Sequence, residues 1–301
     1  MKILVVGGSY FLGRVFTIVA SPKHKLTLLN RGTYSMKELG VNEIKGDRHD
    51  KNILKTITDD YDCIVDFCAY KKDDIKIILD NISNNIKKYI FVSTCDVYDR
   101  EDRTLKNEHY KLNYNTNNYP KELKEYIDGK VILEDELIEN ALKKDIDYTS
   151  VRPGMIYGPY NYAERESLYI KSIIQNKEAI YPNDSDSYFQ MVYVKDVANA
   201  ILELCESIDN KHVYNLISNE VMNYNKFSKI LNKVSDIDYN EIYMNKDNII
   251  KKNIETPFPY SLEESQFYDG SLFEDDFDFE YTPHKEGLQK TYKAFKKVYK
   301  K

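Results

Sequence analysis

Tyr126-Ile-Asp-Gly-Lys130 sets a phenol and an amine four residues apart, which on a helix is one turn and one face. An ammonium beside a phenol favours the phenolate, so the pair could take a proton from an alcohol. The chain holds 27 tyrosines, so this spacing alone would arise by chance. Its place in the first long helical segment after a hydroxyl-bearing strand end gives it weight. That strand end is Phe91-Val-Ser-Thr-Cys-Asp-Val-Tyr98, where Ser93 or Thr94 could hydrogen-bond a reacting oxygen and Asp96 adds a carboxylate.

A second group of residues could hold an anion. Gly7-Gly-Ser-Tyr-Phe-Leu-Gly13 follows the apolar run Ile3 to Val6 and opens a helical pattern. Glycine tolerates positive φ and lacks Cβ, so such a turn can bring backbone N–H groups and a helix N-terminus against a pyrophosphate. Gly7 and Gly13 fit the outer positions of a dinucleotide fingerprint, and Tyr10 stands where its middle glycine would be. After the next predicted strand, Asn30-Arg31-Gly32 lacks the acid that would bind ribose hydroxyls and carries an arginine suited to a 2′-phosphate. This favours NADP, with NAD the alternative. Asp47, in Gly46-Asp47-Arg48, could meet an adenine, or cap a turn.

These residues need a scaffold, and the hydrophobic pattern supplies one. It predicts strands at 2–6, 25–29, 41–45, 61–67, 87–93 and 147–152, with helices at 11–20, 50–58, 72–83 and 122–144. Segments such as Lys25-Leu-Thr-Leu-Leu29 and Cys63-Ile-Val-Asp-Phe67 are nearly all apolar, as in strands buried on both faces. The expectation is an α/β fold, a doubly wound parallel sheet with helices on both faces, whose ligands bind beyond the carboxyl ends of the strands. After Gly158-Pro159 the pattern changes to longer helices, Tyr- and Asn-rich loops and short strands near 189–194 and 212–216. Residues 1–158 read as a dinucleotide-binding domain, and 159–301 as mainly a smaller substrate lobe with some segments returning to the sheet. The acidic stretch Glu263 to Glu280 reads as a loop or flap. Leu288, Tyr292, Phe295 and Val298 predict a terminal helix at 285–299.

Composition narrows the classes of function. With 42% hydrophobic and 31% charged residues in 301, the chain can bury a large core, and its net charge of −6 disfavours a nucleic-acid surface. No apolar run approaches membrane length, and the apolar opening stops at Gly7, too early for a secretory signal. The expected setting is cytoplasmic, without a membrane partner. Cys63, Cys68, Cys95 and Cys205 form no C-x-x-C pair, so they read as small hydrophobes and no metal site is expected.

The ordered set of motifs resembles the extended short-chain dehydrogenase/reductases, the nucleotide-sugar epimerase/dehydratase family. Gly7-Gly8-x-x-Phe-Leu-Gly13, Val92-Ser-Thr-x-x-Val-Tyr98, Tyr126-x-x-x-Lys130 and Val151-Arg-Pro-Gly-x-x-Tyr-Gly-Pro159 carry the resemblance, with Val192-Tyr-Val-Lys-Asp-Val-Ala198 and Val213-Tyr-Asn-Leu216 extending it. The opening is closest to a subgroup with GGTRFLGR-like starts, in which a bulky residue replaces the middle glycine; Tyr10 would then lie over the cofactor. The resemblance implies Tyr126 as acid/base, Lys130 as its electrostatic helper and ribose ligand, Thr94 as the hydroxyl that positions a sugar, and Asp96 at the place of a dehydratase base. It implies a dinucleotide site of Gly7, Gly8, Ser9, Tyr10, Phe11, Leu12, Gly13, Asn30, Arg31, Asp47, Arg48, Cys68, Ala69, Ser93, Tyr126, Lys130 and Pro153. The implied activity is NAD(P)-dependent epimerisation or dehydration of a nucleotide-activated sugar through a keto intermediate, with a homodimer plausible. Two other readings stand beside it: an NADPH-dependent carbonyl reductase, and a non-catalytic regulatory or RNA-associated protein. Gly129 departs from good helix composition at a cost of about 1 kcal/mol relative to alanine, and the segment between Thr94 and Tyr126 is long.

Overall fold

The computed structural model describes residues 1–82 and 85–300; residue 83, the end of the helix expected over 72–83, lies outside them. The first half alternates strands and helices: β1 Lys2–Val6, α1 Phe11–Ala20, β2 Lys25–Asn30, β3 Asn42–Lys45, α2 Lys51–Leu54, β4 Tyr61–Asp66, α3 Asp74–Asn81 and β5 Ile86–Val92. Then come β6 Leu105–Lys106, α4 Lys121–Lys144, β7 Asp147–Pro153 and β8 Met155–Tyr157. The later chain adds α5 Glu166–Asn176, β9 Glu178–Pro182, β10 Phe189–Tyr193, α6 Val194–Glu206, β11 Val213–Leu216, β12 Val221–Met222 and α7 Tyr224–Val234. It closes with β13 Asn240–Met244, α8 Lys246–Lys251, β14 Phe267–Tyr268, α9 Ser271–Phe277 and α10 His284–Tyr299.

Seven strands form one sheet in the order β11-β7-β5-β4-β1-β2-β3, and every adjacent pair is parallel. Successive side chains on a strand point to opposite faces, and both faces of β1 are apolar. Ile3 and Val5 enter the core that α1 and α6 cover, while Leu4 and Val6 enter the core under α3 and α4. This is the doubly wound sheet the apolar strands predict. The strand order reverses between β1 and β4, so a crevice opens at their carboxyl ends. Two segments after residue 159 return to this body: β11 extends the sheet beside β7, and α6 packs on α1. The remaining later strands make small sheets, β12-β10-β8, β13-β9 and β14-β6. Among the described residues no helix is long and apolar enough to cross a membrane.

Two expectations need correction. The helix expected over 50–58 is one turn, Lys51–Leu54, with Asp50 capping Asn52 N–H at 2.9 Å. Tight turns then carry Ile57 into the core, where it is 1% exposed. The acidic stretch from 263 to 280 is ordered rather than a flap: it holds β14, paired with β6, and α9. Its aromatic residues explain why. Phe273 is fully buried with its ring 5.4 Å from Tyr214, and Phe277 lies 5.8 Å from Tyr214, while Asp275 and Asp276 between them are exposed.

Candidate active site

A cavity of about 870 Å³ lies beyond the ends of β1, β2, β4 and β5. The glycine turn forms its floor. Gly7 has φ +88°, and a Cβ there would stand 3.1 Å from the Cβ and Sγ of Cys68. A Cβ on Gly13 would fall 2.2 Å from the Gly7 carbonyl oxygen, so α1 starts hard against the turn. Gly8 serves packing instead: a Cβ there would meet Val5 Cγ1 at 2.8 Å and Thr17 Oγ1 at 2.9 Å, and Gly8 does not line the cavity. Tyr10 occupies the N-cap position of α1 and makes no side-chain cap, which leaves the first N–H groups of the helix open to an anion.

The catalytic candidates sit at the inner end. Thr94, Asp96, Tyr126 and Lys130 all line the cavity, although β5 and α4 lie far apart in sequence. Thr94 Oγ1 accepts the Asp96 N–H at 3.2 Å, so the threonine caps the 3₁₀ turn Cys95–Val97. α4 is held from several sides. A Cβ on Gly129 would lie 2.1 Å from the Tyr70 carbonyl oxygen, so this glycine lets α4 pass directly over the backbone after β4. Glu136 accepts the N–H groups of Asp73, Ile75 and Lys76 at 2.6, 3.0 and 2.8 Å, tying α4 to the start of α3. Glu134 receives Arg152 Nε at 2.9 Å and Ser150 Oγ at 3.0 Å, tying it to β7.

Lys130 is buried, and its ammonium donates to the carbonyls of Ala69 at 2.9 Å and Val92 at 2.8 Å. Burial lowers its pKa to about 8. Burial raises the Tyr126 phenol above its ordinary value, and the Asp96 carboxylate adds to the rise. The Thr94 hydroxyl and the Arg165 guanidinium pull it the other way. Tyr126 is therefore a neutral phenol here, and a further positive charge beside it would bring it toward ionisation.

At the outer end Asn30 Oδ1 accepts the Gly32 N–H at 2.9 Å, while its Nδ2 is buried without a partner. Arg31 lines the cavity beside Asp47. Asp47 pairs with His49 Nδ1 at 2.8 Å, and His49 Nε2 reaches Asp74 at 2.8 Å. Hydrogen bonds from His49 lower the Asp47 carboxyl, and the Asp74 carboxylate raises the His49 imidazole. Ser93 Oγ, 4% exposed and lining the cavity, also lacks a partner. A buried polar atom left unpaired costs about 1–3 kcal/mol. Two such atoms in one crevice, with a glycine cradle between helix and strand, match the donor set of a bound dinucleotide.

With Gly8, Ala69 falls outside the cavity lining, while Arg48 and Asp96 line the cavity with their charged groups already engaged. Arg48 donates from both terminal nitrogens to Asp66, at 2.9 and 2.7 Å, so its guanidinium is engaged inside the protein. Burial opposes its charge, but Asp66 outweighs burial and holds the pKa above normal. Ala69 is fully buried off the cavity and contributes only its carbonyl to Lys130. The Asp96 carboxylate, at the place of a dehydratase base, forms an ion pair with Arg100. The remaining expected residues, Ser9, Tyr10, Phe11, Leu12, Cys68 and Pro153, do line the cavity.

The sequence reading missed Arg100, Tyr162, Arg165, Gln190, Glu264 and Gln266, which line the same cavity. Gln190 is committed to the fold, donating to Ser218 O at 3.2 Å and Tyr268 O at 3.0 Å, and Glu264 accepts Tyr260 N–H at 2.7 Å. Among the described residues no hydrogen bond or ion pair engages the Arg165 guanidinium, and Gln266 Oε1 is buried without a partner. No motif marks these positions, because they come from separate loops.

The profile of the NAD dependent epimerase/dehydratase family matches residues 3–216. A UDP-N-acetylglucosamine 4-epimerase from Methanobrevibacter ruminantium M1, solved with UDP-N-acetylmuramic acid, superposes at TM-score 0.79 and 22% identity, over 99% of this chain and 98% of that one. The UDP-glucuronic acid 4-epimerase of Bacillus cereus, solved with NAD, gives 0.77 and 17%, over 100% and 98%. UDP-glucose 4-epimerase from Thermotoga maritima, solved with UDP-glucose, gives 0.76 and 19%, over 99% of each chain. At such identities the likeness shows the fold. The chloroplast stem-loop binding protein of 41 kDa b from Arabidopsis thaliana is 24% identical over 261 residues, 80% of this chain. The chain spans 65% of that relative's length.

Proposed function

Because the chain belongs to the NAD-dependent epimerase/dehydratase family, we propose that it epimerises a nucleotide-activated sugar through a transient keto sugar. The observation that carries this reading is the meeting of Thr94, Tyr126 and Lys130 in one cavity with the glycine turn. Gly7, Gly13, Asn30, Arg31 and Ser93 would hold the dinucleotide, which when bound supplies the hydride acceptor and donor. Thr94 orients the sugar hydroxyl. Tyr126 takes the hydroxyl proton and later returns it, and Lys130 supplies positive charge that favours the phenolate. The ion pair between Asp96 and Arg100 supports epimerisation over dehydration, since a dehydratase would need that carboxylate available as a base.

Arg31 at the end of β2, with Asn30 in place of an acid, supports NADP over NAD. The cofactor named for the Bacillus cereus neighbour is NAD, and equilibrium titration with both dinucleotides measures the preference. The expected homodimer is tested by light scattering. Four cysteines without a disulfide fit a reducing, cytoplasmic setting.

The purified protein is incubated with UDP-glucose, UDP-glucuronic acid and UDP-N-acetylglucosamine, and products are followed by NMR. An isomer of unchanged mass, formed without net change in dinucleotide absorbance, is the expected result. Stoichiometric oxidation of added NADPH when a keto-sugar is supplied as the carbonyl acceptor would make the protein a reductase instead. The stem-loop-binding relative favours a second reading as an RNA-associated protein. A net charge of −6 weighs against it, and a stem-loop titration at two salt concentrations tests it.

A further inference from the structure

The loop after β8 is built to present tyrosines. Gly158, at φ +133°, donates its N–H to Glu166 Oε1 at 3.0 Å. The Asn161 amide donates to the two oxygens of the same carboxylate at 3.3 and 3.2 Å, and Asn161 Oδ1 accepts the Ala163 N–H at 3.0 Å. Glu166 is fully buried at the head of α5. With the polar groups of the loop drawn inward, Tyr160 and Tyr162 stay outside, 50% and 57% exposed.

Both rings reach the first βα unit. The Tyr162 ring stacks on Tyr10, with centroids 4.9 Å apart and planes at 29°, and meets Phe11 edge-on at 5.8 Å. Tyr10 also stacks on Tyr34, at 5.7 Å and 10°. Tyr160 carries the Arg14 guanidinium 4.7 Å from its ring centroid. A base inserted between two rings needs about 7 Å, twice a van der Waals contact, so these rings touch one another and hold no gap for a ligand. Tyr10, Tyr34 and Tyr162 also line the cavity, above the turn that would hold the pyrophosphate. They come from three places: the N-cap of α1, the loop after β2 and the loop after β8.

We propose that Tyr162 is a cofactor-retaining residue, which with Tyr10 and Tyr34 forms an aromatic clasp that must part for a dinucleotide to enter or leave. The proposal rests on the dinucleotide reading of the cavity and adds a dependence of cofactor exchange on the loop after β8. It also accounts for a tyrosine in place of the middle glycine, since the Tyr10 ring is the inner half of the clasp. An enzyme that returns its hydride to the same sugar gains from slow exchange, because the reduced cofactor must not escape between the two half-reactions.

The test is stopped-flow fluorescence with NADPH and NADH as probes, on the full chain, stripped of bound nucleotide and then reloaded. Dissociation is followed after mixing with excess oxidised dinucleotide, and association after mixing with the probe. Tyr162→Ala should release the probe about tenfold faster, as expected for the loss of stacking contacts, and should also bind it faster. Tyr162→Phe should keep the wild-type rates, because the ring and its stacking remain. Tyr114→Ala, at an exposed tyrosine outside the cavity, should match the wild type. If the wild type binds and Tyr162→Ala shows unchanged rates, the clasp is wrong and the dinucleotide reading stands. If the wild type binds neither probe, both fall.

Discussion

The two ends of the cavity are built differently. The end proposed for the dinucleotide is a turn of backbone, Gly7 to Gly13, set between a strand and a helix so closely that side chains are excluded at Gly7 and Gly13. Its polar groups stand ready, with Asn30 Nδ2 and Ser93 Oγ buried and unpaired. The end proposed for the sugar is made of side chains from many loops, several of them already engaged: Asp96 by Arg100, Gln190 by Ser218 and Tyr268, Glu264 by Tyr260. Only a few polar groups there, Arg165 and Gln266 Oε1 among them, are left to a ligand. A common cofactor needs one preorganised cradle, whereas a particular substrate needs a surface in which most polar groups are silenced and a few are left to read it.

The strongest challenge to this contrast is Tyr126→Phe, which removes the phenol where the two ends meet. Turnover of any accepted nucleotide sugar should fall by about 10²–10⁴-fold, with dinucleotide affinity little changed by fluorescence titration. Retained turnover would remove Tyr126 from the chemistry. Gly13→Ala attacks the dinucleotide end alone. The new methyl would collide with the Gly7 carbonyl, so cofactor affinity should drop at least about tenfold and stability by about 1–3 kcal/mol, read from urea melts. An alanine variant that binds normally would show that the turn need not be so close.

Arg31→Ala sharpens the comparison within the dinucleotide end. Loss of a charge-assisted contact to a 2′-phosphate should weaken NADPH about tenfold and leave NADH unchanged. Equal weakening of both would end the case for NADP. The smallest effect is expected at Glu166, beneath the tyrosine loop. Burial pushes its carboxyl up to about 7, so the folded protein holds this proton more tightly than the unfolded chain does. Its contribution is fully present below the ordinary carboxylate range near 4.5 and is lost as pH rises through about 7. Urea midpoints at acid and mildly alkaline pH should therefore show a component falling with pH that Glu166→Gln lacks.

Much of the dinucleotide end could be read along the chain. Its glycines, the strand before them and the helix after them are contiguous, and the exclusion of Cβ at Gly7 and Gly13 leaves a direct mark in residue type. The Tyr126 and Lys130 pair was visible because a helix turn converts a spacing of four into a shared face. Gly129 was visible only as an anomaly; contact with the Tyr70 carbonyl explains it. The acidic stretch misled because composition averages over α9, whereas folding responds to where Phe273 and Phe277 point.

Local order along the chain was enough to establish the apolar strands, the parallel sheet they imply, the glycine turn and the residues capable of proton transfer, since each depends on neighbours a few positions apart. Tertiary structure alone settled which of those groups are available: Arg48 is taken by Asp66, Asp96 by Arg100, and Tyr10 meets Tyr162 from the far loop. The reason is physical. Whether a charge or a ring is engaged depends on partners within a few ångströms, and folding brings those partners from any distance along the chain.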